Sequence, residues 1–224
     1  MKFAVGVLTH NAILHDRFDL LKETLQSLSE AFPGVEPILL DNGSSDGTEL
    51  WVSKLGGVLL PYDENNGPGR GDRALANHLV ATGADVVVLS DDDMFWKPGA
   101  MQTLERFWSK ANWKVVPILG GYLEPEWPWN TPISSLDVGA VRVLLRRSAP
   151  ACAWTFLPTA WNELIAPLVQ DGFGHDFKVC EALFSRGHCV GQIDLAEHRG
   201  WGRSTYGNNA NEVARPLDRA KWGV

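Results

Sequence analysis

The first 120 residues alternate short, uninterrupted apolar runs with segments whose apolar side chains recur at helical spacing. The runs predict strands at residues 3–8, 37–40, 58–60 and 86–89, and the spacing predicts helices at residues 18–32, 48–55 and 73–82. Strands that are apolar throughout, rather than alternating, are typical of a parallel sheet with both faces covered. We therefore expect an α/β fold with a mostly parallel, Rossmann-like central sheet and helices on both faces.

The second half of the chain is less regular. Its pattern predicts a proline-rich surface loop at residues 122–132, a strand at 138–145, helices at 161–169 and 176–185, a strand at 190–195 and a polar tail from Glu197. The sequence contains no internal repeat and no distinct domain boundary. We therefore expect one continuous domain.

Polar clusters follow three of the four predicted strands of the first half, at residues 9–11, 41–46 and 90–93. The carboxyl ends of parallel strands lie at one edge of a sheet, where ligands bind in folds of this class. We expect these clusters to form one crevice.

Charge and composition narrow the classes of ligand. A formal net charge of −7 argues against non-specific binding to nucleic acid or to an anionic membrane, because both need a basic surface. No apolar run approaches the roughly 20 residues of a membrane span, so no integral membrane contact is expected. The three cysteines are an odd number without metal-type spacing, which favours reduced thiols and a cytoplasmic location.

The sharpest chemical feature is Asp91-Asp92-Asp93, directly after a predicted strand. Three adjacent carboxylates repel one another unless a cation neutralises them or they diverge into water. Hard divalent cations favour oxygen ligands and often bridge one or two carboxylates to substrate phosphates. The triplet therefore indicates a Mn²⁺ or Mg²⁺ site, with a solvated acidic turn as the alternative.

Two further turns have the composition of a nucleotide site. Asp41 ends a strand and opens the turn Asp41-Asn42-Gly43-Ser44-Ser45-Asp46-Gly47-Thr48, and its carboxylate suits a nucleobase imide or a ribose. The alternative is an Asx-type turn in which Asp46 caps the next helix. Residues 65–71 form a glycine-rich loop ahead of a helix start, which suits a diphosphate together with Arg70 and Arg73.

Taken in order, these segments resemble the nucleotide-sugar-binding half of the GT-A fold, specifically glycosyltransferase family 2. The resemblance rests on Val7-Leu8-Thr9-His10-Asn11, residues 40–48, Asn65-Asn66-Gly67-Pro68-Gly69 with Asn77, and Leu89-Ser90-Asp91-Asp92-Asp93 with Pro98. It covers residues 3 to about 105 and departs from the family at Ala76, where many members carry arginine. It implies that residues 1–120 bind the nucleotide sugar, and that residues 121–224, with their C-terminal tail, bind the acceptor and carry catalysis.

The resemblance also implies a role for each matching residue. The nucleotide-sugar set is Thr9, Asn11, Asp41, Asn66, Arg70, Arg73, Asp91 and Asp92. Asp93, the last residue of the Asp-x-Asp motif, is expected to bind Mn²⁺ or Mg²⁺, and His198 is expected to complete the metal shell. The metal would stabilise the negative charge that the diphosphate gains as it leaves.

A catalytic base is implied by Gly172-Phe173-Gly174-His175-Asp176-Phe177-Lys178, which is similar to the family's acidic motif but has His175 in place of a common glutamate. Asp176 would deprotonate the acceptor hydroxyl. The alternative role of Asp176 is a plain helix N-cap. Trp127 and Trp129 lie where the family builds its acceptor site, and an exposed indole can stack on a sugar.

The expected function is an inverting transfer of a sugar from a nucleotide-diphosphate sugar to a hydroxyl acceptor. A UDP-sugar is the expected donor because Asp41 suits a uracil imide, with GDP- and dTDP-sugars left open. The acceptor classes are a saccharide, a protein side chain, a small metabolite and a modified base. The alternatives are a non-catalytic nucleotide-sugar or glycan-binding module and a sugar-nucleotide pyrophosphorylase, whose longer glycine-rich signature near the first strand is missing here.

Overall fold

The structure, a computed structural model, describes residues 1–59, 67–123, 131–172 and 174–200. Its strands are β1 (Phe3–Thr9), β2 (Ile38–Asp41), β3 (Val58–Leu59), β4 (Val86–Asp91), β5 (Met94–Trp96), β6 (Ile118–Tyr122), β7 (Ser134–Val138), β8 (Val141–Arg146), β9 (Trp154–Phe156) and β10 (Val190–His198). Its helices are α1 (Phe18–Ala31), α2 (Thr48–Lys54), α3 (Pro68–Ala81), α4 (Ala100–Trp108), α5 (Pro158–Ala160) and α6 (His175–Phe184). Within these ranges, no helix combines the length and the apolar composition needed to cross a bilayer.

One sheet contains all ten strands, in the order β3-β2-β1-β4-β9-β6-β10-β8-β7, with β5 pairing to β10. The β3-β2-β1-β4 part is parallel throughout, and β6 is parallel to β10. Antiparallel pairs join β9 to both β4 and β6, and join the β7–β8 hairpin to β10. Strands from both halves of the sequence therefore belong to the same sheet.

Helices cover both faces of this sheet. Successive residues of a strand point to opposite faces, and in β4 Val88 packs into the core under α1 and α4 while Leu89 packs into the core under α3 and α6. Burial of one such aliphatic side chain stabilises the fold by roughly 1.5–3 kcal/mol. The predicted α/β class, with a largely parallel central sheet and helices on both faces, is confirmed.

The glycine-rich segment differs from its predicted form, because α3 begins at Pro68 rather than at Arg73. Gly67 precedes the helix with a φ of 84°, which suits glycine, and Pro68 occupies the first helical position, where its missing N–H is not needed. The prediction of a loop extending to Gly71 was therefore wrong.

Two predicted elements of the second half also differ. The strand predicted at 138–145 is a hairpin of β7 and β8, because Gly139 and Ala140 have φ values of 57° and 63° and form a two-residue turn. The helix predicted at 161–169 is a π turn at Trp161–Ile165 followed by a 3₁₀ turn at Ala166–Leu168. Pro167 has no N–H to donate, so a regular helix does not continue there.

Candidate functional site

The carboxyl ends of three neighbouring strands bring the predicted nucleotide residues to one edge of the sheet. Thr9 at the end of β1 is in register with Asp41 at the end of β2, and Leu8 is in register with Asp91 at the end of β4. The backbone N–H of Asn42 donates to the carbonyl of Thr9 over 2.8 Å, which continues the ladder into the next turn. The expected crevice edge is therefore present around Thr9, Asp41 and Asp91.

The middle carboxylate of the acidic triplet points into the protein. Asp92 is 1% exposed and accepts hydrogen bonds from Thr9 Oγ1 over 2.6 Å and from Arg17 Nη1 over 2.6 Å. Arg17, just before α1, is itself buried and also donates to the carbonyl of His10 over 3.0 Å. Thr9 and Asp92, both predicted to bind the nucleotide sugar, therefore have each other as partners.

Arg17 is the functional residue that the sequence interpretation missed. Burial raises the pKa of Asp92 to about 6, although the neighbouring guanidinium opposes that shift. Arg17 Nη1 also lies 3.9 Å from Asp93 Oδ2, so one buried cation serves two of the three carboxylates. The signal available in the sequence was the charge balance, because a carboxylate of this triplet that turns into the protein needs a cation to compensate it.

The pairing of β5 with β10 brings together the two predicted metal ligands. In this antiparallel pair His198 lies opposite Met94, and the N–H of Arg199 donates to the carbonyl of Asp93 over 3.0 Å. His198 Nε2 is 3.4 Å from Asp93 Oδ1 as a result. Two residues that are far apart in sequence therefore lie side by side at the edge of the sheet.

The chemistry of Asp93 and His198 fits a divalent cation. Burial lowers the pKa of His198 to about 4, so its ring is neutral and offers a lone pair at physiological pH. Asp93 Oδ1 is buried and accepts no hydrogen bond from the residues that the structure describes. Two ligands at right angles around an octahedral ion with bonds of about 2.1 Å are about 3 Å apart, close to the separation of these two atoms.

No group of three or more histidine, cysteine or acidic side chains that could hold a metal is present among the described residues. A divalent ion at Asp93 and His198 would take its remaining ligands from water and from phosphate oxygens. Mg²⁺ sites in nucleotide enzymes are commonly completed in this way.

A tight turn holds the predicted nucleobase residues. Asp41 is buried and accepts hydrogen bonds from the backbone N–H and the hydroxyl of Ser44. Asn11 has a φ of 46°, and this left-handed conformation lets its Oδ1 accept from the N–H of Ser45 over 2.9 Å. Burial raises the pKa of Asp41, and the hydrogen bonds from Ser44 oppose the shift.

Asp46 lies in the same turn in the role expected from its Asx-type alternative. Its Oδ1 accepts from the N–H of Thr48, the first residue of α2, over 3.0 Å. Its Oδ2 accepts from the N–H of Leu14 over 2.6 Å and so joins the turn to the loop after β1.

The glycines ahead of α3 and in its first turns allow neighbouring backbone and side chains to pack closely against this helix. A side chain at Gly69 would overlap the carbonyl of Gln170, and one at Gly71 would lie 2.7 Å from Leu8. Gly69 also donates its N–H to the carbonyl of Gly172 over 3.2 Å. These glycines therefore allow α3 to pack closely against Gln170, Gly172, His175 and Leu8 of β1.

The two arginines of this segment have different surroundings. Arg73 donates to the carbonyl of Val169 over 3.2 Å and to Asp171 over 2.5 Å, so its guanidinium holds the 169–171 segment. Arg70 lies half-buried in the first turn of α3.

Asp176 is the second residue of α6, and its side chain is half-buried. Its Oδ1 accepts from the N–H of Phe177 over 2.8 Å, and its Oδ2 accepts from the N–H of Ala151 over 3.4 Å. Asp72 of α3 links this region to the acidic triplet, since burial and then the charge of Asp72 raise the pKa of Asp91 well above its ordinary value. Asn66, Trp127 and Trp129 lie outside the described residues.

Residues 5–146, more than half of the chain, match the family model described as glycosyl transferase family 2. The chain belongs to glycosyl transferase family 2. The expected family is confirmed, and the matched residues include the Asp41 turn and the Asp91–Asp93 triplet. No curated protein sequence is similar enough to the chain to count as a match.

Solved structures of glycosyltransferases share the GT-A fold of this family 2 chain. S. aureus TarS 1-349 in complex with UDP-GlcNAc aligns with a TM-score of 0.62 at 15% identity, over 97% of this chain and 65% of that one. The mannosyltransferase PcManGT from Pyrobaculum calidifontis, in complex with GDP-Man and Mn²⁺, aligns at 0.54 and 17% identity, over 86% of this chain and 54% of that one. Glucosyl-3-phosphoglycerate synthase from Mycobacterium tuberculosis aligns at 0.52 and 18% identity, over 88% and 72%. The chain thus spans less than two thirds of the TarS and PcManGT chains.

Two predicted site residues of this family 2 chain lie beyond the matched range of residues 5–146. They are Asp176, at the start of α6, and His198, at the end of β10. His198 contacts Asp93, which lies inside the matched range, and the negative charge of Asp176 acts on Asp72, which also lies inside it.

Proposed function

We propose that this chain transfers a sugar from a nucleotide-diphosphate sugar, a UDP-sugar in first place, to a hydroxyl acceptor with inversion at the anomeric carbon. The observation that carries the proposal is the placement of Asp93 beside His198 at the same sheet edge as the Asp41 turn. TarS and PcManGT, which share the fold, are solved with UDP-GlcNAc and with GDP-Man and Mn²⁺, and this supports the donor class.

The donor nucleotide is assigned to the turn formed by Asn11 and Asp41. The turn is already closed by its hydrogen bonds to Ser44 and Ser45, so it offers a preformed surface to a nucleobase. Asp91, partly exposed at the end of β4, is assigned to the ribose side of the site. Thr9 and Asp92 support the site from inside through Arg17.

The diphosphate is assigned to the space between the acidic triplet and the start of α3. Asp93 and His198 would hold a Mn²⁺ or Mg²⁺ ion, whose charge would stabilise the diphosphate as it leaves. Arg70, in the first turn of α3, and Arg73, one turn further along the same helix, are assigned as further cations for the diphosphate.

Asp176 is assigned as the general base. Its carboxylate is half-buried and is fixed by two backbone N–H groups, one from its own helix and one from Ala151. It would take the proton of the acceptor hydroxyl while that oxygen attacks the anomeric carbon. A single displacement without a protein nucleophile inverts that carbon.

Residues 121–224 are assigned to the acceptor, with Trp127 and Trp129 as stacking platforms. The proposed acceptors remain a saccharide, a protein side chain, a small metabolite or a modified base. A cytoplasmic location is supported by Cys152, Cys180 and Cys189, which form no disulfide with one another.

A donor assay tests this function. The protein is incubated with UDP-, GDP- and dTDP-sugars and Mn²⁺, and release of the nucleoside diphosphate is measured, with EDTA and Asp194→Asn as controls because Asp194 lies on an exposed ion pair. Slow release from a UDP-sugar that stops in EDTA supports the transferase. Tight donor binding without release would indicate a non-catalytic binding module, and formation of a sugar phosphate and a nucleoside triphosphate from added pyrophosphate would indicate a pyrophosphorylase.

A further inference from the structure

Helices α3 and α6 meet at a buried contact between Asp72 and His175. Asp72 is 4% exposed and His175 is 3% exposed, and His175 Nε2 lies 2.8 Å from Asp72 Oδ2. The ring N–H is not aligned on that oxygen, so the contact is a close charge pair rather than a well-formed hydrogen bond. Such groups are rarely buried unless each compensates the charge of the other.

The protonation of His175 agrees with this arrangement. Burial lowers the pKa of its imidazole, but the contact with Asp72 outweighs burial, and the pKa is raised above its ordinary value. Asp176 adds to the negative potential around the ring, and Lys178 opposes it. Burial raises the pKa of Asp72 at the same time, and the contact with His175 opposes that shift, so each group favours the charged form of the other.

The surroundings of the pair leave His175 little freedom. The Trp154 ring lies edge-on to the imidazole with centroids 6.1 Å apart, and a side chain at Gly69 would come within 3.0 Å of His175 Cβ. The backbone of α3 and the segment before α6 are joined by the bond from Gly69 to Gly172. The position of His175 is therefore set by α3.

Asp176 follows His175 directly and depends on the same backbone. Its carboxylate has one long bond to the N–H of Ala151, at 3.4 Å, and one bond to the next residue of its own helix. Neither contact alone fixes where the start of α6 lies relative to the acidic edge. The contact from His175 to Asp72 does, because Asp72 lies near enough to Asp91 for its charge to act on that carboxyl.

We propose that Asp72 and His175 are positioning residues for Asp176: their buried charge pair locks the first turn of α6 onto α3 and holds the Asp176 carboxylate where it can take the proton of the acceptor hydroxyl. The inference rests on the proposed role of Asp176 as base. It also accounts for the departure from the family motif, since a glutamate at position 175 would face Asp72 with a like charge.

The pair is tested with three variants: Asp72→Asn, His175→Gln and the double variant Asp72→Asn/His175→Gln. Asp171→Asn is the control. Asp171 joins the same two segments through Arg73 but is half exposed, so it is a matched control for loss of a tether. For each protein we would measure kcat for nucleoside diphosphate release, UDP affinity with Mn²⁺, and the thermal unfolding midpoint. Misplacement of a reacting group by about 1 Å can lower a rate about 10²-fold.

The single variants are expected to lose at least about tenfold in kcat while UDP affinity stays within about twofold. The double variant is expected to have a higher kcat than either single variant, because it leaves no unpaired buried charge. Asp171→Asn should keep the wild-type kcat. Wild-type kcat in the folded single variants, or equal losses in kcat and UDP affinity, would overturn the proposal.

Should the single variants fail to fold, the double variant decides alone: a lowered kcat with unchanged UDP affinity supports the pair, and an unchanged kcat overturns it. Failure of the proposed function is distinguishable, since then the wild-type protein releases no nucleoside diphosphate from any donor. Undiminished turnover by Asp176→Asn would instead remove the base, and the positioning role with it.

Discussion

The backbone of Gly200 lies directly against the carboxylate of Asp93, so that a Cβ at residue 200 would overlap Asp93 Oδ2. We expect Gly200→Ala to displace that carboxylate and to weaken Mn²⁺-dependent UDP binding at least about tenfold, or about 1.4 kcal/mol. Isothermal titration with Mn²⁺ measures this. Glu197→Ala, at an exposed position of the same strand end, is the control and should bind like the wild type. Unchanged binding by Gly200→Ala would show that Asp93 is not a ligand of the metal.

Arg17 compensates a carboxylate that is fully enclosed. Arg17→Met is expected to lower the free energy of unfolding by about 3–5 kcal/mol, because Asp92 would be left buried and unpaired. Urea unfolding measures the change. Lys97→Met breaks the exposed Lys97–Asp194 pair and should cost about 1 kcal/mol or less.

A compensating variant separates charge from packing at this position. In Arg17→Met/Asp92→Asn both partners of the close buried pair are neutral and only the longer contact of Arg17 with Asp93 is lost, so much of the lost stability should return. A double variant no more stable than Arg17→Met would assign the loss to the packing of the arginine stem instead.

The raised pKa of His175 predicts a pH dependence of stability. The folded state keeps the imidazolium to a higher pH than the unfolded state does, so its contribution is complete below about pH 6.5 and is lost as the pH rises through the raised folded value. His10 and His198 have lowered pKa values, so their titration changes the stability at a lower pH than this window. We expect the unfolding midpoint in EDTA to fall between pH 6.5 and 9 more steeply for the wild type than for Asp72→Asn/His175→Gln. Parallel curves would contradict the charge pair.

The sequence was sufficient to predict the strands that build the edge of the site. β1 and β4 are long apolar runs that need no partner to be recognised, and the polar residues that follow them had to lie at their carboxyl ends. β5 and β9 have three residues each and exist because of their pairing with distant strands, which a local pattern does not contain. His198 was assigned by resemblance alone, and only the pairing of β5 with β10 explains how it reaches Asp93.

The direction in which each acidic side chain points could not be predicted from the sequence, for the same reason. Asp92 turns inward because Arg17, 75 residues earlier, lies under the triplet. Asp72 was unremarkable between the predicted glycine-rich loop and the predicted helix, and it became significant because α3 begins at Pro68 and brings Asp72 against His175. Such contacts depend on the register between whole elements, which residue spacing within one element does not define.

Asp176 is expected to affect turnover and to leave donor binding intact. Asp176→Asn keeps the shape of the side chain but removes the base, so kcat for transfer should fall about 10²–10⁴-fold while the UDP affinity with Mn²⁺ is retained. Steady-state kinetics on a donor that the wild type hydrolyses, with titration of UDP, checks both. Full activity of Asp176→Asn would exclude it as the base and favour its role at the start of α6.

The central claim is that the edge of the sheet holds a divalent cation and a nucleoside diphosphate together through Asp93. The most direct measurement is the affinity of UDP for the wild type and for Asp93→Asn, each with Mn²⁺ and with EDTA, with GDP and dTDP titrated in parallel. The account predicts that Mn²⁺ strengthens binding of one of these nucleotides to the wild type at least about tenfold, and that Asp93→Asn loses this gain. Equal affinity of the wild type in Mn²⁺ and EDTA, or a gain that persists in Asp93→Asn, would contradict it.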